Sequence, residues 1–433
     1  MYDLAVIKGK VYFDKKYHNT NLYIKNGKIV LISPILQKAK ETYDCQGDLV
    51  IPGIIDPHTH FQLNLGNITS RDDFFYGTKA AAYGGVTTII DFMDPIEYPN
   101  ELEATFNKRV KQAKKSVVDY KLHACLKNPK DIKEITVKMK ELGLNTVKIF
   151  TTYSDSNRRT YDEQIKELLL LSKENDFLVT AHIENDELIT LDKKFRFKDL
   201  LLSRPSASET TEALKLAKLV KETGGYLYMV HLSSGTTLEL LKQKYSDILN
   251  KHFFIESCPH YFAFTNQELE KKNGYLYTLA PPLRTMDEVK LLRENIDDVY
   301  TIGTDHCSFN TKDKKHLYLD EIPLGIGGIE YSFHIMYQMF GDQIIDKMTV
   351  NVAKAHKLYP QKGIIAEGSD ADVFIYHLSP TTIKKTHGFA DYNLYKGIEV
   401  KGEIKTTISN GQFIVKNGKF FNKKGHLLNK GAE

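Results

Sequence analysis

The chain has 433 residues, 42% hydrophobic and 26% charged, enough for one large domain and a smaller one and typical of a globular enzyme. Its net charge is only +4, with lysines spread among nearby Asp and Glu, which argues against a nucleic-acid surface. The opening MYDLAVIKGK lacks the pattern of a signal peptide, and no stretch nears the roughly 20 apolar residues of a membrane span. Four separated cysteines (Cys45, Cys125, Cys258, Cys307), with no CxxC pair, fit reduced thiols in a cytoplasmic protein.

Residues 1–52 alternate apolar and polar positions in short runs, LAVIKGKVYF and NLYIKNGKIVLIS, which predicts antiparallel strands. From 53 to 355 the pattern changes. Short apolar runs, VTTIIDF, YKLHACL, NTVKIF, FLVTAHIE, YLYMVHLS, HFFIESC and VYTIGTD, alternate with amphipathic helices, as in a parallel sheet covered on both faces. In one of those helices, Ser206 and Glu209 form a candidate capping box, and Gly224-Gly225 ends it. Residues 356–433 return to the β style in ADVFIYHL and TTISNGQFIVKNGKFF. Asn26-Gly27, Asn410-Gly411 and Asn417-Gly418 are hairpin signals. The expectation is an α/β protein: a TIM-like (β/α)8 barrel with a small β-sandwich made by both terminal segments. A doubly wound open sheet is the alternative, weakened by the lack of a GxGxxG or P-loop after the early strands. The tail FNKKGHLLNKGAE is expected to be loose or to dock on a neighbour.

The chemistry-bearing residues sit where these strands end. Asp56-Pro57-His58-Thr59-His60 follows the apolar run LVIPGII. In an extended segment, His58 and His60 share a face and can grip one metal. His182, His231 and Asp305 end three later strands, and Lys148 lies inside TVKIF. In a barrel these ends converge on one mouth. Each alone reads more simply as a structural residue, with Asp305 capping a helix; their joint placement argues otherwise. An ammonium on a buried apolar strand is costly unless paired or neutralised. Capture of carbon dioxide would turn Lys148 into a bridging carbamate. Four histidines, that carbamate and Asp305 would suit two divalent ions, zinc first, with manganese, cobalt or nickel as substitutes. Such a site generates a nucleophile from water, with Asp305 as proton carrier and Tyr153 as donor to an oxyanion.

These residues and the stretches DPHTHFQL, VKIFTTY, TAHIEN, MVHLSS, SCPHYFAFT, APPLR, GTDHCSFN and GIGGIE resemble the dihydropyrimidinase/D-hydantoinase group of cyclic amidohydrolases over essentially the whole chain. The resemblance implies the barrel-plus-sandwich fold. It also implies that His58, His60 and Asp305 hold one metal, His182 and His231 the other, and carboxylated Lys148 bridges them. Tyr153 falls at the oxyanion position. Two substrate positions depart from the group's pattern: Ala280 stands for the usual Ser, and Leu324 for Asn in IPLGIGG, where Gly327 also replaces Pro. Loops after His60 and Tyr153, the first containing Asn64 to Asn67, would select the exocyclic substituent. Gln62, where dihydroorotases carry the Arg of HxHxR, argues against a carboxylated ring. The expected substrate is a small cyclic amide or imide, with allantoin as the alternative ring and a homotetramer or dimer as the assembly. A non-catalytic scaffold related to the group is disfavoured by the complete ligand set. A mononuclear deaminase is disfavoured by Lys148.

Overall fold

The computed structural model describes residues 1–429. Two sheets dominate it. The barrel sheet contains eight parallel strands: β6 (Ile54–Thr59), β7 (Val86–Phe92), β8 (Asp119–Cys125), β9 (Thr146–Phe150), β10 (Leu178–His182), β11 (Leu227–Leu232), β12 (Phe253–Ser257) and β13 (Thr301–Ile302), neighbours in that order. Every residue of β7, β8, β10 and β11 is buried. These runs therefore show no polar alternation: helices cover one face and the barrel interior fills the other. The ring closes where His60 N donates to His306 O at 2.9 Å and His306 N to His58 O at 3.4 Å. This is the expected (β/α)8 barrel.

The terminal segments form a second sheet. Its strands are β1 (Tyr2–Phe13), β2 (Lys16–Lys25), β3 (Lys28–Ser33), β4 (Ala39–Asp44) and β5 (Leu49–Pro52), joined by β14 (Val373–His377), β17 (Glu403–Ser409), β18 (Gln412–Lys416) and β19 (Lys419–Phe420). A separate pair, β15 (Thr381–Thr382) and β16 (Glu399–Val400), lies between them. All three Asn-Gly pairs turn hairpins, with both residues at positive φ (51° and 75° at Asn26-Gly27), as a tight turn between twisted strands requires. The antiparallel expectation holds for β1–β2–β3, but β4 and β5 run parallel to β1. No two-residue turn follows β3, so the chain crosses over between 34 and 38 and β4 arrives in the same direction as β1. A bulge between Val6 and Gly9 divides β1, so its first half pairs with β4 and its second with β5. Leu4, Val6, Val11, Leu22, Val373 and Ile408 belong to the small core this sheet encloses.

Two local expectations change. Helix Ser206–Thr223 starts after Pro205 without a side-chain cap. Glu209 instead reaches the barrel and accepts from the backbone N–H of Ser233 (3.1 Å) and of Ser234 (3.0 Å). Two buried donors beyond a strand end outweigh one cap. Gly224 does close the helix, in the left-handed conformation at φ 68°. As far as Asn429 the tail is not loose but docked on its own chain. Tyr120 N donates to His426 O (2.9 Å), and Leu428 N to Tyr120 O (2.8 Å), so the tail runs beside β8 of its own barrel. A Cβ on Gly425 would collide with the Val118 carbonyl. The last four residues of the tail lie outside the described residues.

Candidate active site

Each ligand-type residue owes its place to a strand end. His58 lies in β6 and His60 just beyond it, and their Nε2 atoms approach to 3.2 Å. The strand read as VYTIGTD stops early, at Ile302. Gly303 packs on the Glu256 carboxyl, where a Cβ would lie 2.8 Å from Cδ, and Thr304 N turns to the Asp56 side chain at 3.1 Å. Asp305 then adopts φ 49°. Its carboxylate reaches His58 Nε2 at 3.2 Å and His60 Nε2 at 3.1 Å rather than capping a helix. His231 is also left-handed, at φ 42°, beside an irregularity in β11, and its Nε2 lies 3.0 Å from His182 Nδ1. Such backbone conformations are uncommon for non-glycine residues and cluster at functional sites.

All nine residues singled out from the sequence, His58, His60, Lys148, Tyr153, His182, His231, Ala280, Asp305 and Leu324, line one cavity of about 230 Å³ at the C-terminal ends of the strands. Lys148 is 2% exposed. Among the described residues it forms no ion pair and no side-chain hydrogen bond. Its Nζ lies over the rings of Phe92 (5.1 Å) and Phe150 (5.6 Å). Burial pushes its amine down to about 8. Lys148 thus neither snorkels to solvent nor pairs with an acid. Among the described residues the Tyr153 hydroxyl has no hydrogen-bond partner, and burial pushes it up to about 12.

Sequence reasoning missed the groups behind the histidines. His58 Nδ1 meets Glu256 Oε1 at 2.8 Å, and His182 Nε2 meets Glu184 Oε2 at 2.7 Å. Burial holds His58 and His182 below the usual imidazole range. With His58 Nδ1 and His182 Nε2 engaged by these carboxyl groups, the other ring nitrogen of each faces the cavity. Glu256 also accepts from Tyr228 Oη (2.9 Å) and His231 N (3.1 Å), while burial pushes its carboxyl up to about 8. Burial also opposes ionisation of Glu184, but Arg204 beside it brings it down to about 2. The signal was present: a glutamate inside the apolar run HFFIES, and one two residues after His182. For Asp305 burial likewise favours the neutral acid, yet His58 and His60 hold it far below the carboxylate range.

This arrangement fits a cation. His58 Nε2, His60 Nε2 and an Asp305 oxygen lie 3.1–3.2 Å from one another, three potential ligand atoms around one point. Two zinc-bound nitrogens at 2.0–2.1 Å in tetrahedral geometry stand about 3.3 Å apart, close to the 3.2 and 3.0 Å of the two histidine pairs. Carboxylates behind metal-binding imidazoles are the usual means of fixing the tautomer and aiming the ring.

The cavity walls that carry Ala280 and Leu324 are tied by a second buried lysine. Lys314 Nζ donates to Thr278 O (2.7 Å) and Gly325 O (2.6 Å), clamping the segments that carry Ala280 and Leu324.

Fold and site together have the architecture of an amidohydrolase, a TIM-like barrel with ligand-type residues at its mouth, and comparison with known proteins agrees. The profile of the amidohydrolase family matches residues 49–414. The D-hydantoinase of Geobacillus stearothermophilus is 32% identical over 433 residues, covering 92% of this chain and 90% of that protein. A crystal structure of a D-hydantoinase superposes with a TM-score of 0.93 at 30% identity, covering 99% of both chains. The dihydropyrimidinase of Brevibacillus agri gives 0.91 at 28% identity, over 100% of this chain and 99% of that one. The chain belongs to the amidohydrolase family, in its dihydropyrimidinase/D-hydantoinase group.

Proposed function

We propose that this enzyme opens the ring of a hydantoin or dihydropyrimidine, as in conversion of 5,6-dihydrouracil to N-carbamoyl-β-alanine. Two divalent ions, zinc first and manganese, cobalt or nickel as substitutes, would be held by His58, His60 and Asp305 and by His182 and His231, with Lys148 between them as a carbamate. The observation that carries the reading is the convergence of four histidine nitrogens and the Asp305 carboxylate on one cavity, with His58 Nε2 and His60 Nε2 3.2 Å apart and His182 Nδ1 3.0 Å from His231 Nε2, backed by Glu256 and Glu184. Bound metals would polarise the amide carbonyl and lower the pKa of the attacking water.

The chain's own groups do the rest. Lys148, buried and without a counter-ion, gains an anionic form by taking up carbon dioxide and losing a proton, which removes the cost of an isolated buried ammonium. Asp305, held ionised, takes the proton of the water as its oxygen bonds to the carbonyl carbon. It returns that proton to the ring nitrogen as the C–N bond breaks. Tyr153 donates its free hydroxyl to the oxygen on which charge develops. The backbone around Ala280 and Leu324 holds the ring amide, so loss of the Ser and Asn side chains still leaves polar groups for binding. No helix among the described residues is long and apolar enough to cross a membrane. Four free, buried cysteines suit the reducing cytoplasm, which we include in the proposal with a homotetramer or homodimer.

The test follows the ring absorbance of dihydrouracil, hydantoin and allantoin side by side, with zinc or manganese and bicarbonate, and Lys148→Ala as control. Opening of dihydrouracil or hydantoin, abolished in the control, is the expected result. Preference for allantoin would keep the mechanism and change the substrate. Silence on all three would refute the proposal.

A further inference from the structure

Two consecutive arginines in the loop after β9 have different surroundings. Arg159 Nη1 reaches Asp186 Oδ2 at 3.4 Å. Arg158 lines the active-site cavity, half-buried. Among the described residues its guanidinium forms no ion pair and no hydrogen bond. The loop does not leave this to chance. Arg158 N donates to Tyr153 O (3.0 Å) and Thr160 N to Phe150 O (2.7 Å), and both Tyr153 and Asn157 take left-handed conformations. Asp186 ties the loop down by accepting from Thr152 Oγ1 (3.0 Å) and Ser154 N (3.3 Å), and Asn157 Oδ1 accepts from Asn128 Nδ2 (2.9 Å). The tyrosine and the guanidinium thus stand at the two ends of one braced turn.

Asp186 is held by this loop and Asp94 by Lys108, and among the described residues Asp155, exposed in the same turn, forms no ion pair with Arg158. Much of the remaining wall at the mouth is apolar: Leu63, Leu65, Met93, Pro95 and Phe150. A guanidinium partly removed from water needs an acceptor, and its planar fork matches a carboxylate. We infer that Arg158 makes this enzyme selective for cyclic amides whose exocyclic arm ends in a carboxylate. The inference rests on the cyclic-amide reading above and names its substrate class. It differs from recognition of a carboxylate borne directly on the ring: Gln62 does not line the cavity, whereas Arg158 enters from the Tyr153 loop, so the charge rides on a short arm pointing there.

The experiment compares 5-(2-carboxyethyl)hydantoin with 5-(2-carbamoylethyl)hydantoin, its neutral isostere, on the metal-loaded enzyme. The acid is expected to have the higher kcat/KM by about tenfold or more, mainly through KM. The advantage should shrink as salt rises, because the site is open enough for screening. In Arg158→Gln the acid-to-neutral ratio should collapse towards one, and Arg158→Lys should restore part of it. A ratio near one in the native enzyme, or one unmoved by Arg158→Gln, would overturn the inference while leaving the hydrolase reading intact. Failure to open either hydantoin or dihydrouracil would overturn that reading and this inference with it. Should Arg158→Gln not fold, the salt response of the native enzyme and the Arg158→Lys ratio decide.

Discussion

Among the described residues two clusters look like metal sites by composition, and they differ in chemistry. His58, His60 and Asp305 converge at the barrel mouth, and Asp119, Asp370 and Asp372 converge in a buried group elsewhere. The second group already holds a cation: Lys362 Nζ lies 2.7 Å from Asp119, 3.0 Å from Asp370 and 2.7 Å from Asp372. These carboxylates raise the Lys362 amine against the burial that lowers it. Asp119 begins β8, Asp372 directly precedes β14 and Asn410 turns β17 into β18, with Asn410 Nδ2 donating to Asp119 at 2.8 Å. The acid cluster is a clasp between barrel and terminal sheet. At the mouth the lysine is equally buried but, among the described residues, forms no ion pair, and histidine nitrogens face one another across the cavity at 3.2 and 3.0 Å. What separates a structural ion cluster from a ligand site is whether the fold itself supplies the opposite charge.

The comparison breaks most visibly at the two lysines. Lys148→Ala should lower ring opening by on the order of a thousandfold, since the activated water and carbonyl polarisation are lost together; steady-state kinetics with added metal would show it. Retention of a tenth of the activity would rule out a bridging role. Lys362→Met should instead cost about 3–5 kcal/mol of stability, the penalty of stranding buried charges. Urea unfolding measures this, and folded protein should still bind metal at the histidines. A cost under about 1 kcal/mol would mean that Lys362 is not the clasp's counter-ion.

A third variant sharpens the comparison between these extremes. Glu184→Gln removes both the partner of Arg204 and the acceptor behind His182. Metal affinity should fall about 10–100-fold and stability at pH 7 by about 3 kcal/mol. The folded carboxyl is depressed from 4.5 to about 2. Its contribution is therefore present above pH 4.5 and is lost as pH falls towards 2. The gap between native and variant unfolding curves should narrow over that window; a gap constant from pH 7 to 3 would contradict the pairing. The smallest effect is expected at Lys314→Met. Loosening Thr278 and Gly325 should raise KM by about three- to tenfold with less change in kcat, the pattern of weakened ground-state positioning.

Much of this was legible in the sequence because it follows from periodicity and strand ends. Apolar runs without alternation gave the buried barrel strands, Asn-Gly gave all three hairpins, and His-x-His at a strand end put two rings on one face. What the sequence hid depends on tertiary partners. Glu209 reads as a capping residue until Ser233 and Ser234 claim it. Glu256 in the apolar run HFFIES and Glu184 two residues after His182 stand out as letters, but only the fold shows which histidine each one backs. The parallel course of β4 and β5 depends on a crossover that has no turn signature. Arg158 and Arg159 are indistinguishable as letters, and only the fold gives one of them an acid.

The central claim is that the mouth of the barrel holds two metals with Lys148 between them. Elemental analysis of protein grown with zinc and bicarbonate tests it directly. The account predicts about two ions per chain in the native enzyme and one or fewer in Lys148→Ala. Less than one ion per chain in the native protein, or two ions undisturbed in the variant, would contradict it.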